Sequence, residues 1–285
     1  MDSVIVTGGG TGLGRETSLY LAERGFAVYA AVLTGEQAEA VAGAARERGL
    51  SNVRTPRMDI THPASIRSCI DEVVRETGGV YGLVNNAGIG LRGFFEDQGE
   101  FEIRRLFEVN IFGTFAVTRA VLPYMRAARR GRIVIITSIG GRIGSLGVST
   151  YCATKFAQEG FGECLYQEVL PFGVYVSLVE PAIVKTERWG IHRGVAQRAE
   201  DPDSPYYRWF KREEALADRL ADSAPTRPAH VARAVHRALT AARPRLRYMV
   251  GRRAKLVYLL RRYLPDRLFD TLYFGGVVRY VTRSS

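Results

Sequence analysis

Tyr151 and Lys155 stand four residues apart, so a helix through them places both on one face. Lys155 is one of only four lysines, with Lys185, Lys211 and Lys255, in a chain whose basic residues are otherwise arginine. A phenol titrates near pH ~10, too high for base work at neutral pH. A neighbouring ammonium favours the phenolate and brings that value down. Ser138 closes an apolar run thirteen residues before Tyr151 and offers a hydroxyl to the same substrate oxygen. The three make a general acid/base arrangement for the oxygen of an alcohol or a carbonyl. A Tyr and Lys on a solvated helix, with a serine at a strand end, is the plain alternative for these residues alone.

A second signal lies at the start of the chain. Thr7-Gly8-Gly9-Gly10-Thr11-Gly12-Leu13-Gly14 follows the apolar run Val4-Ile5-Val6 and opens a helical pattern. Glycines there let the backbone turn sharply and approach a pyrophosphate, which the N–H groups and dipole of the helix N-terminus then hold. The spacing is Gly-x-x-x-Gly-x-Gly, not the Gly-x-Gly-x-x-Gly of other dinucleotide folds.

The elements that must carry these residues alternate strand and helix. Strands are expected at Ser3–Thr7, Ala27–Val32, Val53–Met58, Tyr81–Asn85, Arg132–Ser138, Val174–Val179 and Leu246–Val250. Helices are expected at Thr11–Arg24, Glu36–Arg48, Pro63–Thr77, Glu100–Ala128 (interrupted near Pro123) and Tyr151–Leu170. Strands this apolar belong to a parallel sheet covered on both faces. The expected fold is therefore α/β: residues 1–285 as one doubly wound Rossmann-type domain. Residues 187–227 break the alternation and carry Trp189, Tyr206, Tyr207, Trp209 and Phe210, which reads as a lid over the substrate.

In this order and spacing the residues resemble the short-chain dehydrogenase/reductase family, whose members have this fold and use NAD or NADP. Thr7, Gly8, Gly12, Leu13 and Gly14 match its nucleotide turn. Asp59, with Ile60, matches the acid that contacts adenine, and Asn86, Ala87 and Gly88 fall in its fourth-strand motif Asn85-Asn86-Ala87-Gly88. Asn110, Ser138, Tyr151 and Lys155 match its catalytic set. Pro181, Val184 and Thr186 match the segment beside the nicotinamide, with Ala182 where glycine is usual. The extra methyl of Ala182 is expected to shift the cofactor slightly without abolishing binding.

The resemblance implies a mechanism. Tyr151 exchanges the alcohol proton and Ser138 fixes the substrate oxygen. Lys155 lowers the Tyr151 pKa and holds the nicotinamide ribose, and Asn110 positions a water linking Lys155 to solvent. The residue closing the second strand separates NAD from NADP: an acid bonds the ribose hydroxyls, a base accepts the 2′-phosphate. Val32-Leu33-Thr34 carries neither, and Arg15, in the first helical turn, is either solvated or a 2′-phosphate contact. The Ala30–Thr34 stretch is similar to the retinol- and hydroxysteroid-dehydrogenase branch, which leans the choice to NAD.

Charge divides the chain. Residues 1–206 hold 22 basic and 23 acidic side chains, and residues 207–285 hold 18 and 6, so the net +11 belongs to the C-terminal part. Residues 252–285 read as a basic amphipathic extension, also similar to that branch. Leu256, Leu259, Leu260 and Tyr263 fall on one helical face, and Leu268, Phe269, Leu272, Tyr273 and Phe274 form a second stripe. These helices either cap the substrate pocket or a dimer, or rest on an anionic membrane surface. No nucleic-acid module is present. The aromatic lid and apolar tail suit a bulky hydrophobic small molecule of steroid, retinoid, polyketide or long-chain kind as substrate.

Apolar runs stop well short of the ~20 residues a membrane span needs, and no N-terminal signal is visible. Cys69, Cys152 and Cys164 cannot build a disulfide framework, which suits a reducing compartment. The expected location is cytoplasmic or membrane-peripheral, as a homodimer or homotetramer through the helices of Glu100–Ala128 and Tyr151–Leu170, as in the family. His192, His230 and His236 have no metal-ligand spacing, and no metal is expected. The same fold could instead run an epimerisation, dehydration or cyclisation, or serve as a nucleotide sensor; the intact catalytic set favours the oxidoreductase.

Overall fold

The computed structural model describes residues 1–184, 186 and 193–283. Lys185, Trp189 and His192 lie outside the described residues. Nine strands occur among those described: β1 (Ser3–Val6), β2 (Ala27–Ala30), β3 (Val53–Arg54), β4 (Gly82–Asn85), β5 (Gly90–Arg92), β6 (Gly131–Ile136), β7 (Val174–Pro181), β8 (Arg193–Val195) and β9 (Arg247–Val250). Seven of them form a parallel sheet in the order β3-β2-β1-β4-β6-β7-β9, which is the expected doubly wound arrangement.

Helices cover both faces, which explains why the strands show no polar alternation. One face buries Ile5, Leu83, Ile133 and Ile135 beneath α3 (Pro63–Thr77), α5 (Thr114–Ala127) and α6 (Ser149–Val169), after α1 (Gly12–Ala22), α2 (Gly35–Glu47) and α4 (Glu100–Phe107) in chain order. The other buries Val4, Val6, Val84 and Val134 beneath α1 and, past α7 (Tyr207–Asp222), α8 (Pro228–Thr240). Adjacent strand residues therefore serve opposite cores, and both must be apolar.

Several bounds differ from expectation, and two of the differences have a plain physical content. β3 stops at Arg54, and the pairing resumes only as a bridge from Val32 to Arg57, because Pro56 has no N–H to give the ladder. The long helix does not break at Pro123, which sits on its exposed side within α5. Its irregularity is a π-helical stretch, Glu108–Gly113, joining α4 to α5 and containing Asn110. π-Turns of this kind re-aim side chains at functional positions. The whole helix, Glu100–Ala127, is also long and apolar enough to cross a membrane, contrary to the run-length reading, but half of its most apolar window is buried inside the fold.

The segment after β7 includes β8, which pairs with β5, and then α7. Leu91, Leu106, Ala196, Ala199 and Phe210 bury one another there, so this segment has its own small core. The tail forms α9 (Arg252–Tyr263), α10 (Asp266–Phe269) and α11 (Gly275–Thr282). α11 folds back onto α7, where Arg219 bonds the Tyr280 hydroxyl.

Candidate active site

Every candidate among the described residues lies at the carboxyl ends of the parallel strands, the edge where open α/β sheets take ligands. α6 carries Tyr151 and Lys155, and its first turn is tied down where Thr150 Oγ1 donates to Gln98 Oε1 at 2.5 Å. Lys155 is buried, and its Nζ donates to the Ile136 carbonyl at 3.0 Å and to Gln158 Oε1 at 2.9 Å. The first bond pins the lysine to the end of β6, two residues before Ser138. Its Nζ stands 5.7 Å from the centre of the Tyr151 ring. Burial pulls the Lys155 pKa down to about 8, with Glu159 opposing.

Ser138 caps a short 3₁₀ turn by accepting from Gly140 N at 3.0 Å. A carbon placed on Gly140 would lie 3.4 Å from Ser138 Oγ and 3.6 Å from Tyr151 Cε1. Ser138 and Tyr151 therefore border one small space, kept open because residue 140 has no side chain.

Asn110 is fully buried in the π-helical stretch. Its Nδ2 donates to the Ile89 carbonyl at 2.9 Å and its Oδ1 accepts from Ile89 N at 2.9 Å. Its backbone carbonyl accepts from Gln158 Nε2 at 2.7 Å and from Thr114 Oγ1 at 2.8 Å. Gln158 is thus the side chain that joins Asn110 to Lys155. A glutamine three residues after a lysine is unremarkable in a helix, so no local pattern singles it out.

The nucleotide turn has the geometry its glycines suggest. Gly8 and Gly12 have φ of 61° and 50°, and a Cβ on Gly14 would meet Gly8 O at 2.1 Å. Thr7 Oγ1 accepts from Asn86 N and Ala87 N, both at 3.0 Å, and Asn86 Nδ2 donates to Thr7 O at 2.9 Å. The β1 and β4 motifs are therefore one hydrogen-bonded unit, with Gly88 against Asn110. Leu13 follows in the first turn of α1. Thr186 lies across from Gly12, whose Cβ would be 3.6 Å from it, so the segment beyond Pro181 and Val184 faces the turn. The Ala182 methyl points to Gly251: a Cβ there would be 2.6 Å away, so a glycine on β9's exit makes the room that the usual glycine at 182 would.

Asp59 accepts from Thr61 N at 2.9 Å and from Thr61 Oγ1 at 2.7 Å. Burial raises its pKa, and these bonds outweigh that and hold it below the usual range. Ile60 packs against Gly113 of the π-helical stretch. Leu33 is exposed at the end of β2, and its N–H donates to Gln37 Oε1 at 3.0 Å. Gln37 also packs over Gly10, so a neutral amide stands where an acid or a base would select the ribose form. An open glycine turn, a helix N-terminus and the Asn86–Thr7 unit fit a dinucleotide, which Thr7, Gly8, Gly12–Gly14 and Thr186 could hold.

A buried charge cluster beside this site was not visible in the sequence. Glu180, at the end of β7, and Glu159 of α6 are both buried. Arg247 reaches them at 3.2 and 3.1 Å, and Arg142 at 4.0 and 3.6 Å. Burial, then repulsion from Glu159, pushes the Glu180 carboxyl up to about 7 against the two arginines. Among the described residues no group of His, Cys, Asp and Glu could hold a metal.

A family model for short chain dehydrogenases matches residues 2–193. Human retinol dehydrogenase 5 is 34% identical over 285 residues, covering 94% of this chain and 86% of its own. A short-chain dehydrogenase structure from Streptomyces avermitilis superposes with TM-score 0.79 at 31% identity, covering 98% and 97% of the two chains. The actinorhodin polyketide ketoreductase, solved with NADPH, gives 0.75 at 27%, covering 88% and 95%. The chain belongs to the short-chain dehydrogenase/reductase family, and with its retinol dehydrogenase-like relatives is an oxidoreductase of CH–OH groups.

Proposed function

We propose that the protein interconverts a bulky hydrophobic secondary alcohol and its ketone, with Tyr151 as the general acid/base. The observation that carries this is the position of Tyr151: one side faces Lys155, and the other packs against the apolar core of the lid segment with Leu91, Leu106 and Phe210. A proton-exchanging phenol is thereby set in an apolar wall. The similarity to a retinol dehydrogenase and to a polyketide ketoreductase supports a large apolar substrate. Phe94, stacked on Tyr206 at 4.9 Å, extends that wall outward.

In oxidation the Tyr151 phenolate removes the hydroxyl proton, and in reduction the phenol returns it to the same oxygen. Ser138, its Oγ accepting from Gly140 N, donates its own proton to that oxygen and orients it. Lys155 holds positive charge beside the phenolate. When bound, NAD or NADP would supply or take the hydride at carbon, so that atoms and electrons would balance between alcohol and ketone. The neutral Leu33 and Gln37 pair carries no 2′-phosphate partner, which supports NAD over NADP.

The proposal includes the segment 187–227 as the lid, of which 187–192 lie outside the described residues. It also includes a homodimer or homotetramer through α4–α6, where Phe101, Phe112 and Phe156 are exposed, read by sedimentation. The tail is proposed to rest on an anionic lipid surface. Leu256, Leu260 and Tyr263 are 59%, 41% and 73% exposed, so the first stripe does not cap the pocket within one chain. Arginines 252, 253, 261 and 262 flank it and match anionic head groups. The second stripe is divided: Phe269 is buried, while Leu268 and Leu272 face outward.

The test is nicotinamide absorbance with NAD and with NADP across a panel of sterol, retinoid, aromatic polyketide-like and long-chain alcohols and ketones, with small polar sugars beside them. Turnover confined to the large apolar members is expected. Turnover of sugars alone, or none with bound cofactor, contradicts the proposal.

A further inference from the structure

Three features outside the direct acid/base pair stand out: the Glu159–Glu180 cluster, the exposed tail, and the buried amide of Gln158. The last carries an inference, and it rests on the reading of Tyr151 and Lys155 given above. Gln158 is 1% exposed. Its Oε1 accepts from Lys155 Nζ at 2.9 Å, and its Nε2 donates to the Asn110 carbonyl at 2.7 Å and reaches Thr114 Oγ1 at 3.4 Å. Both ends of one amide are used, each on an atom of the catalytic set.

We propose that Gln158 is a positioning residue that clamps the Lys155 ammonium to the π-helical stretch at Asn110, replacing with a fixed side chain the water that the family resemblance assigns to this link. An ammonium has three donors. Ile136 O and Gln158 Oε1 take two of them from fixed directions, which leaves the third for the reacting side. The two acceptors also favour the charged lysine against its burial. The groups facing Lys155 are Tyr151 one turn before it and Glu159 beside it, and Arg142, 3.6 Å from Glu159, offsets that carboxylate. The clamp spans two elements, α6 and the π-helical stretch, so it also fixes their spacing at the site.

The experiment follows the ammonium itself. The chain has four lysines, so isotope-labelled lysine gives four NMR signals, and Lys155→Met assigns the one of interest. With NAD present and absent, the Lys155 signal is expected to titrate near pH 8 in the native protein. Gln158→Met removes acceptor and donor in a similar volume, and should move that titration down by about one unit. Above both midpoints the charged fraction then falls about tenfold, and kcat with it. Gln158→Glu keeps an acceptor on Lys155, and should move the titration up. The other three signals should not move. An unchanged Lys155 titration in both variants overturns the proposal, whatever their stability. If Gln158→Met does not fold, Gln158→Glu alone decides by its upward shift. The NMR arm needs no substrate, so it stands or fails separately from the panel test.

Discussion

The Lys155 ammonium lies 5.7 Å from the centre of the Tyr151 ring and is held there by the Ile136 carbonyl and the Gln158 amide oxygen. The charge is thus fixed from β6 and from α6 together, and the phenol meets it. A lysine free in solvent would lose that geometry to its four-carbon stem. The consequence for pH is direct: burial leaves Lys155 charged only below about 8, so the support it gives a phenolate weakens above that value.

Asn110→Ala tests how the π-helical stretch is held. The substitution removes both bonds to Ile89 and leaves its N–H and carbonyl unpaired. Each buried unpaired group costs about 1–3 kcal/mol. Urea unfolding should show a loss in that range, with turnover reduced as well. An unchanged midpoint contradicts the assignment of Asn110 as the tie to Ile89.

Glu180 gives stability a definite pH trend. Its folded carboxyl, pushed up to about 7, binds a proton that the unfolded chain has already lost above the ordinary carboxylate range. The folded state therefore holds more protons, and this group's contribution to stability falls as pH rises toward about 7. Glu180→Gln removes the trend while Glu159 and Glu163 still face Arg247. Melting temperature should drop less between about pH 5 and about pH 8 in the variant than in the native protein. Parallel curves contradict the assignment.

Leu33 is the position from which to change cofactor. Its side chain is 49% exposed at the end of β2. Leu33→Arg should raise kcat/KM with NADP relative to NAD, and Leu33→Asp should depress NADP further. A ratio unmoved by both places the ribose elsewhere.

The tail is tested with vesicles. Binding to anionic vesicles at low salt, weakened by salt and absent with neutral ones, is expected. Leu256→Glu with Leu260→Glu should abolish it without loss of turnover. Equal binding of native and double variant contradicts the lipid surface.

Most of the sheet could be read from the sequence because its strands are apolar on both sides and its turns carry glycine. The chemical residues could be read for another reason: Tyr151, Lys155 and the glycine turn have spacings that local geometry enforces. What could not be read depends on distant contacts. Pro123 looks like a break, yet the irregularity of the helix is the π-helical stretch around Asn110, whose immediate neighbours Val109 and Ile111 give no sign of it. Gln158 and Glu180 matter only because the π-helical stretch brings Asn110 to the first and β9 brings Arg247 to the second. The β5–β8 pair joins residues a hundred positions apart, and no local pattern marks it.

The most direct measurement compares the native protein with Tyr151→Phe on the best substrate of the panel, with cofactor affinity measured alongside. The phenol is the only group asked to move the proton, and general acid/base catalysis of this kind contributes about 10²–10⁴-fold. A loss of at least that order in kcat, with nucleotide binding retained, is expected. Near-native turnover in Tyr151→Phe would contradict it.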